Sequence, residues 1–155
     1  MNRKLLVLCT LAWIGVVGWG GIIFYLSTMT GPQVEHLLPV KVWDKAAHFI
    51  AFCAGGFLVA TALRVTAGWR WGALIPMTVF LVSLYGATDE WHQQYTPGRS
   101  GKDVGDWTAD TIGGIAGSLL CCGCGFRRGR RKDLPAAPDE RAGLESARRV
   151  PVDTR

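Results

Sequence analysis

The chain has 155 residues, 49% of them hydrophobic and 19% charged, with seven tryptophans, 20 glycines and a formal net charge of +5. An ordinary soluble domain carries roughly 25% charged residues, so a water-soluble enzyme is disfavoured, and the length allows one domain plus a tail. A basic balance implies nucleic acid only when the bases lie on a folded polar surface; here they lie between and beyond apolar blocks, and no nucleic-acid partner is expected.

Four apolar blocks follow one another. Residues 5–26 carry no charge; residues 46–63 contain only His48 and Cys53 as ionisable groups; residues 71–88 have no acid, base or histidine; residues 107–126 have one acid, Asp110. A bilayer core about 30 Å thick is crossed by roughly 20 helical residues, and only structures that close their backbone hydrogen bonds internally can cross it. The expected fold is therefore all-α: a polytopic transmembrane bundle of four helices over 5–26, 46–63, 71–88 and 107–126, forming a domain of residues 1–126. The first block is long for a signal peptide and lacks a clear small-residue cleavage site, so it reads as an uncleaved first helix.

Charge sets the expected orientation. With the N-terminus inside, thirteen of the 17 basic residues fall on the cytoplasmic side, while Lys41, Lys45, Arg99 and Lys102 fall outside. Seven of the 12 acids go outside: Glu35, Asp44, Asp89, Glu90, Asp103, Asp106 and Asp110. The positive-inside rule then puts both termini in the cytoplasm. Residues 127–155 are basic, proline-containing and poor in large apolar side chains, as in a mostly disordered cytoplasmic tail. Five cysteines, none in an outer segment, form no disulfide framework.

The outer polar residues have helical spacing. Asp44 and His48 are four apart at the start of the second helix. Asp89 and Gln93 are four apart, and stack with Glu90 beside them if the third helix runs past Thr88. Thr96-Pro97-Gly98-Arg99 has the chemistry of a type II turn. Asp103, Asp106 and Asp110 form one stripe leading into the fourth helix. A carboxylate a turn below the interface, as Asp110 is, is costly and marks a partner or a function. Gly113 and Gly117 permit close helix–helix approach.

Taken together, Asp44-Lys45-x-x-His48-Phe49, Thr88-Asp89-Glu90-x-x-Gln93, Pro97-Gly98-Arg99 and Asp103-x-x-Asp106-x-x-x-Asp110-x-x-Gly113 resemble the signature of VanZ-like membrane proteins, the teicoplanin-resistance family, over roughly residues 41–117. The chain departs from that pattern at Asp110, where many relatives carry Asn. The resemblance implies a multi-pass protein of the bacterial cytoplasmic (inner) membrane. Asp44, Lys45, His48, Asp89, Glu90, Gln93, Arg99, Asp103, Asp106 and Asp110 are the expected ligand-binding residues of an outward-facing site. Its expected partners are membrane lipids, lipid-linked envelope precursors or a glycopeptide-type amphiphile. The sequence assigns no catalytic residue, no metal ligand and no oligomeric state. No cofactor is expected under the binding reading. A divalent cation enters under the alternative, a membrane-embedded enzyme acting on envelope lipids; none of the common nucleophile motifs supports it.

Overall fold

The computed structural model describes residues 3–37, 43–99 and 101–130. Among them are five helices and no strand: α1 (Arg3–Ser27), α2 (Gly31–Leu37), α3 (Asp44–Ala67), α4 (Trp71–Gln93) and α5 (Val104–Arg130). The chain divides into units Met1–Gly125 and Phe126–Arg155, and every residue of the candidate site belongs to the first. α5 continues to Arg130, into the segment read as tail; the rest of that segment, 131–155, lies outside the described residues.

α1, α3 and α4 are long and apolar enough to cross a membrane. α5 is longer, at 27 residues, but its glycines and its aspartates Asp106 and Asp110 dilute its apolar character. On α1, Leu8, Leu11, Ile14, Val17 and Ile22 are all exposed. An apolar surface of that extent is unstable against water, and hydrocarbon is its natural solvent.

Local chemistry sets the helix ends. Thr30-Gly31-Pro32-Gln33 has the spacing of a capping box at the start of α2 and makes one arm of it, the Gln33 side-chain oxygen accepting the Thr30 backbone N–H at 2.9 Å. Gly68 closes α3 in the left-handed region (φ +62°), donating its N–H to the Arg64 carbonyl. Asp103 caps α5 by accepting the Gly105 N–H at 2.7 Å. Between α4 and α5, Arg99 donates its N–H to the Thr96 carbonyl at 3.2 Å and Gly98 takes φ +75°, as a type II turn requires.

α3 is central. It contacts α1 and α4, and its buried Phe52 and Val59 join Ile23 and Val82 in the core. Trp19 stands edge-on to Phe52, with ring centroids 5.5 Å apart, and donates its indole N–H to the Ala51 carbonyl at 2.9 Å. Gly55 leaves the space that Trp19 occupies. Tyr85 donates its hydroxyl proton to the Gly20 carbonyl at 2.6 Å, tying α4 to α1. Trp19 thus packs within the bundle, whereas Trp13 on the same helix is exposed.

α5 lies against α3 backbone to backbone. A Cβ on Gly113 would strike the Phe49 carbonyl, one on Gly117 the Cys53 carbonyl, and one on Gly56 the Gly114 backbone. Small residues allow this approach, and in an apolar solvent close van der Waals packing is the main force between helices. α5 also engages α4 through a 2.8 Å hydrogen bond between the Ser83 and Thr111 hydroxyls and through the Trp107 indole N–H on the Ser83 carbonyl.

Candidate functional site

α3 and α5 both begin at the end of the bundle where α1 and α4 finish. Their first turns are therefore neighbours, and the helical spacing of their polar residues matches. Lys45 and His48, three apart on α3, meet Asp106 and Asp110, four apart on α5. The Lys45 ammonium lies 2.8 Å from Asp106 and 3.2 Å from Asp103. His48 Nδ1 lies 2.9 Å from Asp110 Oδ1. Asp106 and Asp110 are buried. The Asp110 carboxyl occupies the place where a side chain on Gly86 of α4 would sit, so that glycine makes the pair possible.

The last turn of α4 closes the cluster. It continues through the polar residues because Asp89, Glu90 and Gln93 are buried, while Trp91 points outward. Gln93 donates its side-chain N–H to Asp89 Oδ2 at 2.7 Å. Glu90 Oε2 accepts the Asp103 N–H at 2.7 Å, and the Glu90 carbonyl accepts the Lys102 N–H. Buried Thr96 donates its hydroxyl proton to the Ser27 carbonyl at 3.0 Å, pinning the α4–α5 connection to the end of α1. The Gly105 N–H, and then the Lys45 ammonium, hold the Asp103 carboxyl below the usual carboxylate range.

Replacing Lys45 by Met should show how much this bracket matters. It leaves Asp106, with its side chain 5% exposed, without its cation, and an orphaned buried acceptor costs about 1–3 kcal/mol. The more exposed Asp103 arm contributes less, because solvent screens it. Thermal unfolding in detergent should therefore show a clear loss for Lys45→Met and a much smaller one for Asp103→Asn.

A cavity of about 330 Å³ opens beside the cluster. Ile23, Leu26, Val34, Leu37, Ile50 and Phe52 give it apolar walls; Asp44, His48, Asp89, Gln93 and Arg99 give it a polar end. That volume falls in the range of small-molecule sites, which combine an apolar lining with a few convergent polar groups. Arg99 Nε is buried without a hydrogen-bond partner among the described residues. Among the described residues no carboxylate forms an ion pair with Arg99; Asp103 and Asp106 pair with Lys45 instead. Two sets bring possible ligand atoms within 4.8 Å of one another: Asp44, His48 and Asp106, and the more deeply placed His48, Asp89 and Glu90.

Of the ten residues singled out from the sequence, Asp44, His48, Asp89, Gln93 and Arg99 line the cavity, while Lys45, Glu90, Asp103, Asp106 and Asp110 belong to the polar network beside it. Sequence reasoning missed α2, whose Val34 and Leu37 supply part of the wall. The Thr30-x-x-Gln33 capping box was the signal for it. It also missed Ser27, buried at the end of α1 with its hydroxyl 3.5 Å from His92 Nδ1; no periodicity marks such a residue.

Apolar helices with lipid-compatible surfaces, enclosing a charged cluster at one end, define a helical membrane protein with a polar-ended pocket. The chain belongs to the VanZ/LLP1 family, whose family model matches residues 6–126 and so includes every site residue. No curated protein and no solved structure matches it.

Proposed function

We propose that the protein is a multi-pass component of the bacterial cytoplasmic membrane whose outward-facing cavity binds an amphiphile: a lipid headgroup, a lipid-linked wall precursor or a glycopeptide-type molecule. By holding such a molecule it would alter access to the cell surface and contribute to antibiotic resistance of the teicoplanin type. The observation that carries this reading is the cavity itself, apolar along its walls and charged at one end, with the unpartnered Arg99 Nε at its edge. Guanidinium N–H groups suit phosphate or carboxylate oxygens. The surrounding acids favour a zwitterionic or cation-bridged head over a purely anionic one.

α5 serves as the fourth span in this reading. Its aspartates Asp106 and Asp110 are buried, while Ile112, Ile115, Leu119 and Leu120 form an exposed apolar surface. Both termini are then cytoplasmic, and the segment between α4 and α5 faces outward. A single cysteine introduced at Ser100, in a chain whose five native cysteines are replaced, should react with a membrane-impermeant maleimide on intact protoplasts. Reaction only after lysis would reverse the topology. Binding is tested by native mass spectrometry of the purified protein with added phospholipid. Arg99→Ala should weaken retention about tenfold or more, the loss of a charge-assisted pair; equal retention would remove Arg99 from the site.

A second reading, a divalent-cation-dependent enzyme acting on envelope lipids, is favoured by the convergence of His48, Asp89 and Glu90. Conversion of a lipid extract by purified protein, stopped by EDTA, would select it.

A further inference from the structure

We propose that His48, Asp89 and Glu90 form a site for one divalent cation, with Mn²⁺ and Zn²⁺ the best chemical match. One ligand atom from each lies within 4.8 Å of the other two. Donors around such an ion sit roughly 3–4 Å apart when metal–ligand bonds are about 2.0–2.2 Å, so small side-chain rotations close the set.

The hydrogen bonds already made leave each of the three residues a ligand atom to spare. Asp110 Oδ1 engages His48 Nδ1 at 2.9 Å, which fixes the tautomer with its proton on Nδ1 and leaves the Nε2 lone pair for a metal. A carboxylate behind the distal nitrogen is the usual support for a metal-bound histidine. Asp89 uses Oδ2 for Gln93, leaving Oδ1. Glu90 uses Oε2 for the Asp103 N–H, leaving Oε1 buried without a hydrogen-bond partner. Glu90 is only 4% exposed, and a buried carboxylate oxygen with no partner is costly unless a cation or donor meets it.

The donor set selects the ion. Two carboxylates and a neutral imidazole balance a 2+ charge, and one nitrogen with two oxygens and no thiolate suits Mn²⁺ or Zn²⁺. The other candidate set, Asp44, His48 and Asp106, is excluded by its neighbours: the Lys45 ammonium already lies 2.8 Å from Asp106, and Asp44 is exposed. His48 and Asp89 both line the cavity, so a coordination position left open by three protein donors falls to water or to an oxygen donor there. The site stands on these donors alone, whether or not the cavity holds an amphiphile.

The test uses full-length, tag-free protein in detergent, stripped with EDTA, dialysed and titrated with MnCl₂. One Mn²⁺ per chain should bind, ZnCl₂ should displace it, and pulsed EPR should show coupling to one imidazole nitrogen. His36→Gln and His92→Gln should retain that coupling. Asp89→Asn and Glu90→Gln should weaken Mn²⁺ binding by roughly tenfold or more, and His48→Gln should remove the nitrogen coupling. Absence of stoichiometric binding, bound Mn²⁺ without nitrogen coupling, or undiminished affinity in both carboxamide variants would overturn the site. Should those variants fail to accumulate, the nitrogen coupling of the wild-type protein and its persistence in His36→Gln and His92→Gln decide the question.

Discussion

Gly117→Ala is expected to be among the most damaging single-methyl changes in this chain. The added carbon would sit on the Cys53 carbonyl and close to the Phe57 amide of α3. Neither is the tip of a flexible side chain, so relief requires α5 to move away from α3. Overpacking a well-filled interior typically costs about 1–3 kcal/mol, and backbone obstacles place this change at or beyond the upper end. Separating α5 from α3 would also pull Asp106 from Lys45 and Asp110 from His48. Gly123→Ala on the same helix is the control, because nothing lies within 4 Å of a carbon added there. It should be neutral or stabilising by roughly 0.5–1 kcal/mol, as alanine is the better helix former. Thermal unfolding of the two variants in one detergent checks the contrast; equal transitions would show that α3 and α5 are not in backbone contact.

The second large effect concerns the His48–Asp110 pair. Asp110 is fully buried and the His48 side chain is 10% exposed. Asp110→Leu removes the partner and strands a buried imidazole, at about 1–3 kcal/mol for the orphaned group alone. Asp110→Asn keeps an oxygen to accept the Nδ1 proton and should lose under about 1 kcal/mol. Replacing both partners by apolar groups is frequently far less harmful than replacing one, so His48→Phe with Asp110→Leu should recover much of the single-variant loss. A double-mutant cycle on unfolding midpoints measures this coupling; additive effects would mean that the pair contributes no interaction of its own.

The two experiments probe different links of one argument. The glycines set the distance between α3 and α5, and that distance allows the polar pairs to form. The pairs in turn hold His48 and its neighbours at the end of the cavity. A glycine variant should therefore disturb fold and site together, whereas Asp110→Asn should leave the helices in place and alter the chemistry around His48.

Much of this arrangement was readable in the residues. The uncharged run from Leu5 to Leu26 becomes α1 almost without adjustment, since a helix in lipid must be apolar over its whole span. The Asp103, Asp106 and Asp110 stripe reads as one face of a helix, and all three carboxyls do turn towards α3. Boundaries were harder wherever polar residues are buried. The apolar block ending at Thr88 understates α4, which continues to Gln93 because Asp89, Glu90 and Gln93 face inward. α5 likewise begins at Val104, ahead of the apolar block, because Asp103 caps it. Hydropathy cannot distinguish a polar residue that ends a helix from one that the bundle encloses.

The roles of individual charges were less legible than their positions. Lys45 and Arg99 look alike as basic groups near one membrane face, yet Lys45 is held by two aspartates and Arg99 is paired with none of the described residues. That difference depends on the reach and direction of side chains across three helices, which spacing along one chain does not contain. The cavity is also a product of assembly: its walls combine the end of α1, the short α2 and the start of α3.

The most direct test of the central claim is mass spectrometry of the lipids that co-purify with the full-length protein in mild detergent. It compares wild type, Arg99→Ala and Ala47→Trp, the last filling the cavity from its α3 wall while leaving every charged residue in the chain. Wild type should carry one class of amphiphile, enriched over the bulk membrane to about one molecule per chain, and both variants should lose that enrichment while keeping their helicity and elution position. The same bulk-like lipid profile in all three proteins would contradict an amphiphile-binding cavity.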